Sequence, residues 1–139
     1  MKFSAHVQNS EGKHEVFISR GDNQQSIEIA PRPNGFGSSA SGGELLFLAL
    51  ATCYCNDIYR EAETRGIKVE SVEVEVDGDF EAAGAPATNV TYRVKVIAQA
   101  SEEDIRDLMK LTDTVAEIQN TMRVETPVVL SEMQAVSRR

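Results

Sequence analysis

The segment from Leu45 to Cys53 is apolar at nearly every position and follows a clear helix start. Ser41 can accept a hydrogen bond from the backbone N–H of Glu44 while the Glu44 carboxylate reaches back, which is the capping-box pattern. Arg65-Gly66 is a typical helix end, so we predict a helix of about 24 residues. Apolar side chains cover every side of its first half. Such a helix must be wrapped by a sheet or by a second subunit.

Length, composition and charge narrow the class of protein. The chain has 139 residues, a mass of 15.2 kDa and 41% apolar residues, which predicts one globular domain over residues 1–139. The pattern predicts neither a signal peptide nor a membrane span, and the two cysteines lie too close together for a structural disulfide, so we expect a cytoplasmic protein. The net charge of −8 opposes binding to nucleic acid and to anionic membranes.

The rest of the chain alternates between strand and helix patterns. Apolar–polar alternation predicts the strands, and an apolar stripe after Ser101 predicts a second helix. A change of apolar parity between Val69 and Val72 predicts a bulge. The order is β-β-β-α-β-β-α-β, an α+β fold. The predicted strands are Phe3–Gln8, Glu15–Ser19, Gln25–Ala30, Ile67–Phe80, Val90–Ala98 and Val124–Val136, and the stripe of the second helix is Ile105, Leu108, Leu111, Thr112, Val115 and Ile118.

Two segments resemble the motifs of a known family. Ser41 to Cys53 is similar to the pattern S/N-P-E-x-L-L-x-A-x-L-A-A-C, and the chain from Asn120 to Val128 is similar to N-x-L-x-x-x-x-P-V. With its element order, the chain is identified as a member of the OsmC-like superfamily, which includes osmotically inducible protein C and the organic hydroperoxide resistance proteins. The resemblance implies an intertwined homodimer, with long central helices between strongly curved antiparallel sheets. The matching residues are Leu45, Leu46, Ala49, Leu50, Ala51 and Cys53.

The resemblance also implies a chemistry for Cys53. In the family's peroxidases a thiolate on the central helix attacks the O–O bond of a hydroperoxide, becomes a sulfenic acid and condenses with a second thiol. Cys53 matches the first thiol, whereas Ala116 stands where the second would be.

Two further family features are altered. The P-E dipeptide of the family matches Gly42-Gly43, so Glu44 lies one position late, and the capping box already explains it. For the family's activating arginine, the N-terminal strands offer Arg20 and Lys13, with no motif to choose between them. Glu44 and Arg20 are therefore the weaker catalytic candidates beside Cys53.

The second cysteine and the two histidines are given simpler roles. Cys53 and Cys55 point to roughly opposite sides of a helix and cannot bridge within it, although pairing across a dimer axis stays open. Two opposed thiols with His6 and His14 match no tetrahedral metal spacing, so we predict no metal and no cofactor.

Two functions remain open from the sequence. In the first, the protein reduces organic hydroperoxides with Cys53 alone and relies on an external thiol reductant. In the second, the dimer has no catalytic activity and binds a small apolar ligand in a cleft lined by the loop Pro31 to Ala40. A fixed positive group at the Cys53 sulfur would favour the first function, because burial alone raises the pKa of a thiol and makes it inert.

Overall fold

The computed structural model describes residues 1–138, which form two compact units. The first unit contains Met1–Leu48 and Phe80–Ala87, and the second contains Ala49–Asp79 and the chain from Thr88 onward. The α+β class with antiparallel strands is confirmed. The single domain over residues 1–139 stays a prediction.

The first unit is built on a three-stranded antiparallel sheet. β1 (Phe3–Ser10) pairs along its whole length with β2 (Lys13–Arg20), which pairs in turn with β3 (Asn23–Ser26). β3 therefore ends four residues before the end of the predicted strand Gln25–Ala30. The chain after it folds into a loop that is closed by a bridge between Pro31 and Ser38, because proline supplies no N–H to continue a ladder.

The long helix α1 (Gly42–Thr64) begins as predicted. The Glu44 N–H donates to Ser41 Oγ over 3.1 Å, and the Ser41 N–H donates to Glu44 Oε1 over 2.9 Å. Both bonds satisfy backbone donors that a helix start leaves without partners. Leu45 and Leu48 are nevertheless exposed, so this chain by itself does not complete the predicted burial on all sides.

The predicted end of α1 is also confirmed. Gly66 adopts a φ of +67°, a backbone conformation that costs glycine little. Its N–H donates to the Glu63 carbonyl over 3.2 Å, and the Ile67 N–H donates to the Ala62 carbonyl over 3.0 Å. These two bonds form a Schellman motif, which satisfies the last carbonyls of the helix.

The second unit packs a hairpin against helices. β4 (Lys68–Asp79) and β5 (Thr88–Gln99) are antiparallel, and the register shifts between Val69 and Ser71, where the bulge was predicted. The inward-facing side chains of the hairpin contact a buried cluster from α1 and α2 (Glu102–Val115). This cluster consists of Tyr54, Ile58, Ala62 and Leu108.

The second predicted helix is divided in two. Ser101 caps α2 as predicted, by accepting the Asp104 N–H over 3.1 Å. The helix then stops at Ala116, which is fully buried and extended, with a ψ of 110°, and α3 (Glu117–Arg123) follows. The predicted continuous stripe through Ile118 is therefore wrong. Ahead of the break, the Thr114 hydroxyl bonds back to a helix carbonyl, a competing interaction that the apolar periodicity does not register.

The predicted last strand, Val124–Val136, is wrong for this chain. Residues 125–138 form neither helix nor strand, and Val128 and Leu130 are exposed. A strand needs a neighbour to receive its hydrogen bonds, and Pro127 supplies no donor. Within residues 1–138, no helix is both long enough and apolar enough to cross a membrane.

Candidate functional site

Cys53 lies on α1 beside two carboxyl groups of the second unit. Its half-buried thiol is 3.4 Å from Asp57 Oδ2 and 3.5 Å from Glu117 Oε2. Asp57 follows one helical turn later, so the two side chains share a face of α1. Glu117 is the first residue of α3 and is 64 positions away in the sequence. The sulfur therefore sits at a junction of two helices.

Arg60 connects the two carboxyl groups from the same face of α1. One of its nitrogens, Nη1, is 3.1 Å from Asp57 Oδ1 and 3.1 Å from Glu117 Oε1. The Asp57 side chain is 8% exposed, whereas those of Glu117 and Arg60 are 61% and 50% exposed. The positive charge of this site is thus bound to the carboxylates that contact the thiol.

Two side-chain interactions hold α3 in this position. The buried Gln119 donates from Nε2 to the Leu50 carbonyl of α1 over 3.0 Å. At the other end of α3, Arg123 donates to Asp113 Oδ1 over 2.8 Å and to the Asp113 carbonyl over 3.1 Å. These bonds fasten α3 to α1 and to α2, so the Glu117 carboxylate is held beside the sulfur.

The surroundings of Cys53 raise the pKa of its thiol to about 11. Burial is the largest cause, because it disfavours the charged thiolate. A hydrogen bond from the Ile118 backbone acts in the opposite direction, and the Asp57 and Glu117 carboxyl groups raise the pKa further. The thiol is therefore protonated at neutral pH, and it needs a base to react as a nucleophile.

The carboxyl groups of Asp57 and Glu117 lie beside each other, and a protonated Asp57 can donate to Glu117, so their pKa values move apart. Burial and then the Glu117 side chain raise the pKa of Asp57 to about 6. The hydrogen bond from Asp57, with others, lowers the pKa of Glu117 to about 2. Two like charges held this close cannot both ionise freely. As the pH rises, the pair therefore retains one proton until about pH 6, and that proton resides on Asp57.

Comparison with known proteins decides the family. A family model for the OsmC-like protein matches residues 35–131, which include the whole of α1, α2 and α3. The chain belongs to the OsmC-like protein family. No curated protein sequence matches it.

Solved structures from several organisms share the fold of this OsmC-like protein. The OsmC-like protein of Mycoplasma pneumoniae has a TM-score of 0.64 and 16% identity, with 88% of each chain covered. An organic hydroperoxide resistance protein OsmC from Legionella pneumophila has a TM-score of 0.52 and 18% identity, covering 88% of this chain and 90% of that one. One from Elizabethkingia anophelis has a TM-score of 0.53 and 16% identity, covering 88% and 89%.

The weaker sequence candidates of the OsmC-like protein lie in its first unit. Glu44 is exposed, and its two hydrogen bonds with Ser41 lower the pKa of its carboxyl. Lys13 is the first residue of β2, and its Nζ is 3.5 Å from Glu15 Oε1. Arg20 is the last residue of β2, and its register partners are Phe3 of β1 and Asn23 of β3. A catalytic role for Glu44, Arg20 or Lys13 stays a prediction.

The structure also places Cys55 and one of the two histidines, His14. Cys55 is a free, half-buried thiol on α1. The His14 ring is 2.9 Å from the Asn9 side-chain nitrogen, within the β1–β2 hairpin.

The ligand atoms of Cys53, Asp57 and Glu117 all lie within 4.8 Å of one another, a set that could hold a cation. The Arg60 guanidinium already contacts both carboxylates of this OsmC-like protein and balances one of their two charges. The absence of a metal stays a prediction.

Sequence analysis missed Asp57, Arg60 and Glu117. Part of the signal was present, because positions 53, 57 and 60 are spaced to share one helix face. Glu117 had no such signal, since its place beside the thiol depends on the break at Ala116.

Proposed function

We propose that this OsmC-like protein reduces organic hydroperoxides with Cys53 as the peroxidatic thiol. The observation that carries the proposal is the contact of the Cys53 sulfur with two carboxyl groups, at 3.4 and 3.5 Å, which supply an acid–base pair at a partly accessible thiol. The structural relatives named organic hydroperoxide resistance proteins support the choice of substrate class.

The first step transfers one oxygen atom to sulfur. The Cys53 sulfur attacks the terminal oxygen of the hydroperoxide, an S–O bond forms, and the O–O bond breaks with two electrons leaving on the alkoxide. The thiol proton ends on that alkoxide, so the products are a sulfenic acid at Cys53 and an alcohol. The sulfur is oxidised and the peroxide is reduced.

An external thiol completes the cycle. Ala116 occupies the position of the family's second cysteine, and Cys55 lies two residues from Cys53 on the same helix, on a different face. One molecule of a small thiol therefore condenses with the sulfenic acid, releasing water and forming a mixed disulfide. A second molecule displaces the first as a disulfide and restores the Cys53 thiol.

We further propose that two copies form a homodimer and that the protein acts in the cytoplasm. One chain leaves Leu48 of α1 exposed, together with Phe3 of β1 and Val128 and Leu130 of the C-terminal segment, and a second copy would cover such apolar surface. Two free thiols suit a reducing compartment.

Oxidation of the two cysteines can be measured separately. The reduced protein is mixed with cumene hydroperoxide at pH 7.5, sulfenic acid is trapped with dimedone, and each cysteine peptide is quantified by mass spectrometry. We expect labelling at Cys53, its loss in Cys53→Ser, and its retention in the matched control Cys55→Ser. Turnover of cumene hydroperoxide with dithiothreitol as the reductant should likewise be lost in Cys53→Ser and retained in Cys55→Ser.

Failure of the wild-type protein to form a sulfenic acid would reject the peroxidase proposal. It would leave the non-catalytic alternative, in which the dimer binds a small apolar ligand. The raised pKa of the Cys53 thiol is the observation that favours this alternative. Native mass spectrometry of the purified protein would then detect a bound apolar molecule.

Analytical ultracentrifugation tests the dimer independently. We expect a mass near 30 kDa at micromolar concentration, twice the chain mass. Leu48→Glu should shift the protein towards the monomer, because it buries a charge in the proposed interface. Glu103→Lys, an exposed position on α2, is the control and should not. Because association follows mass action, a wild-type protein that is still monomeric at about 100 µM would reject the dimer.

A further inference from the structure

We propose that Asp57 is the general base of this OsmC-like protein: it takes the proton of the Cys53 thiol and returns it to the leaving alkoxide. This inference rests on the proposed peroxidase function. Its geometric basis is the approach of Asp57 Oδ2 to the sulfur at 3.4 Å, with the other oxygen, Oδ1, held by Arg60 at 3.1 Å.

Asp57 suits this task better than its neighbour Glu117. Its side chain is 8% exposed, against 61% for Glu117, so the proton that it takes is exchanged less readily with water. A general base works best when its pKa lies near the working pH, and the pKa of Asp57 is raised to about 6 whereas that of Glu117 is lowered to about 2. Glu117 stays ionised and acts on Asp57 through charge and hydrogen bonding.

The titratable and charged groups around Asp57 come from two helices. On α1 they are Cys53, Arg60 and Glu61, and Arg60 Nη2 is 3.9 Å from Glu61 Oε1. On α3 the group is Glu117. Arg60 alone is positive among them, and its charge lowers the pKa of Asp57 against the larger effects of burial and of Glu117.

The proton balance closes within this group. Ionised Asp57 accepts the thiol proton as the sulfur attacks, so the sulfur gains the charge that it needs for the S–O bond. The neutral carboxyl group of Asp57 then donates the same proton to the departing alkoxide, which leaves as an alcohol. Asp57 ends ionised, as it began, and Cys53 ends as a sulfenic acid.

The alternative is that the carboxylates merely repress the thiol, since both raise its pKa. The two ideas predict opposite effects of Asp57→Asn at neutral pH. If Asp57 only represses the thiol, the variant has a lower thiol pKa and reacts faster. If Asp57 is the base, the variant reacts more slowly even though its thiol ionises more readily.

The experiment measures the second-order rate constant of Cys53 sulfenic acid formation with cumene hydroperoxide from pH 5 to 10, in the full chain. For the wild type we expect a rise centred near pH 6, as Asp57 ionises, and a second rise towards pH 10 as the free thiolate appears. Asp57→Asn should lack the first rise and be at least about tenfold slower at pH 7.5. Glu117→Gln should move the first rise to lower pH, because Asp57 loses a neighbouring negative charge.

Matched controls separate this effect from changed folding. Asp77→Asn removes a carboxylate that is paired with Arg93 in the same way, and its profile should match the wild type within about twofold, because the ion pair is exposed. Far-ultraviolet circular dichroism verifies the fold of every variant. An Asp57→Asn rate at pH 7.5 equal to or above the wild type would overturn the role of Asp57 and leave the peroxidase proposal standing. A wild type that forms no sulfenic acid would overturn both.

Discussion

The thiol of Cys53 donates to the carboxylate of Asp57, 3.4 Å away and one turn further along α1. This contact favours the protonated sulfur, because a carboxylate stabilises the S–H group and repels the thiolate. From the sequence, a fixed positive group at this sulfur was the feature that would favour the peroxidase function, whereas the Arg60 guanidinium contacts the carboxylates. In the proposed reaction, activation of the thiol therefore depends on removal of its proton by a base.

The first prediction concerns alkylation of Cys53. With a thiol pKa of about 11 against an ordinary value of 9.0, its thiolate at pH 7.5 should be about one hundredth as abundant as that of a free cysteine. Its reaction with iodoacetamide should be correspondingly slow in Cys55→Ser protein and should rise steadily up to pH 10. Glu117→Gln should move this profile to lower pH. Rapid alkylation at pH 7 would contradict the raised pKa.

The second prediction concerns the pH dependence of stability. The folded-state pKa of Asp57, about 6, lies above its ordinary value of 3.8. The folded protein therefore holds an extra proton between these values, and the contribution of Asp57 to stability falls as the pH rises through this range.

The side chain introduced by Asp57→Asn does not titrate, so the variant lacks this loss of stability. Its free energy of unfolding relative to the wild type should therefore increase by about 1 to 2 kcal/mol between pH 4.5 and 7.5. Urea unfolding at several pH values measures this difference. A difference that does not change with pH would show that the pKa of Asp57 is ordinary.

The third prediction distinguishes the two glycines at the start of α1. A Cβ at Gly42 would meet nothing within 4 Å, so Gly42→Ala should stabilise the protein by about 0.5 kcal/mol by reducing the freedom of the unfolded chain. A Cβ at Gly43 would lie 2.7 Å from the Phe80 ring, which stacks on Phe47. Gly43→Ala should therefore give less stability than Gly42→Ala in thermal unfolding. Equal gains would mean that the Phe80 ring moves away without cost.

The fourth prediction concerns the pair that anchors α2 to the hairpin. The Tyr92 hydroxyl donates to Asp113, which also accepts from Arg123. Tyr92→Phe should cost about 1 kcal/mol, and Asp113→Ala about 2 kcal/mol because it leaves two donors without their acceptor. The double variant should be less destabilised than the sum of the two, by about 1 kcal/mol in a double-mutant cycle. Strict additivity would mean that the Tyr92–Asp113 bond contributes nothing.

Much of the fold could be predicted because it is encoded by neighbouring residues. The capping box of Ser41 and Glu44 and the Gly66 end fixed α1 almost to the residue. The parity change near Val69 located the bulge in β4. Each of these signals acts within a few positions, where backbone hydrogen bonding decides the structure.

The predictions that failed depended on partners far away in sequence. Apolar alternation from Val124 to Val136 is compatible with a strand, yet the described chain offers it no ladder to join. Periodicity through Ile118 continued a helix that the structure ends at Ala116. A pattern of apolar residues indicates which surfaces of an element are buried, but it does not indicate which other elements cover them.

The sequence by itself determined the long apolar helix, its limits and the placement of Cys53 upon it, because these follow from local hydrogen bonds and side-chain spacing. Only the tertiary structure decided the chemistry around the sulfur. The break at Ala116 and the Gln119 bond to Leu50 bring Glu117 across 64 positions to the thiol, and burial then raises the pKa values of Cys53 and Asp57. Desolvation and charge proximity are properties of packed atoms in space, so the spacing of letters along a chain cannot specify them.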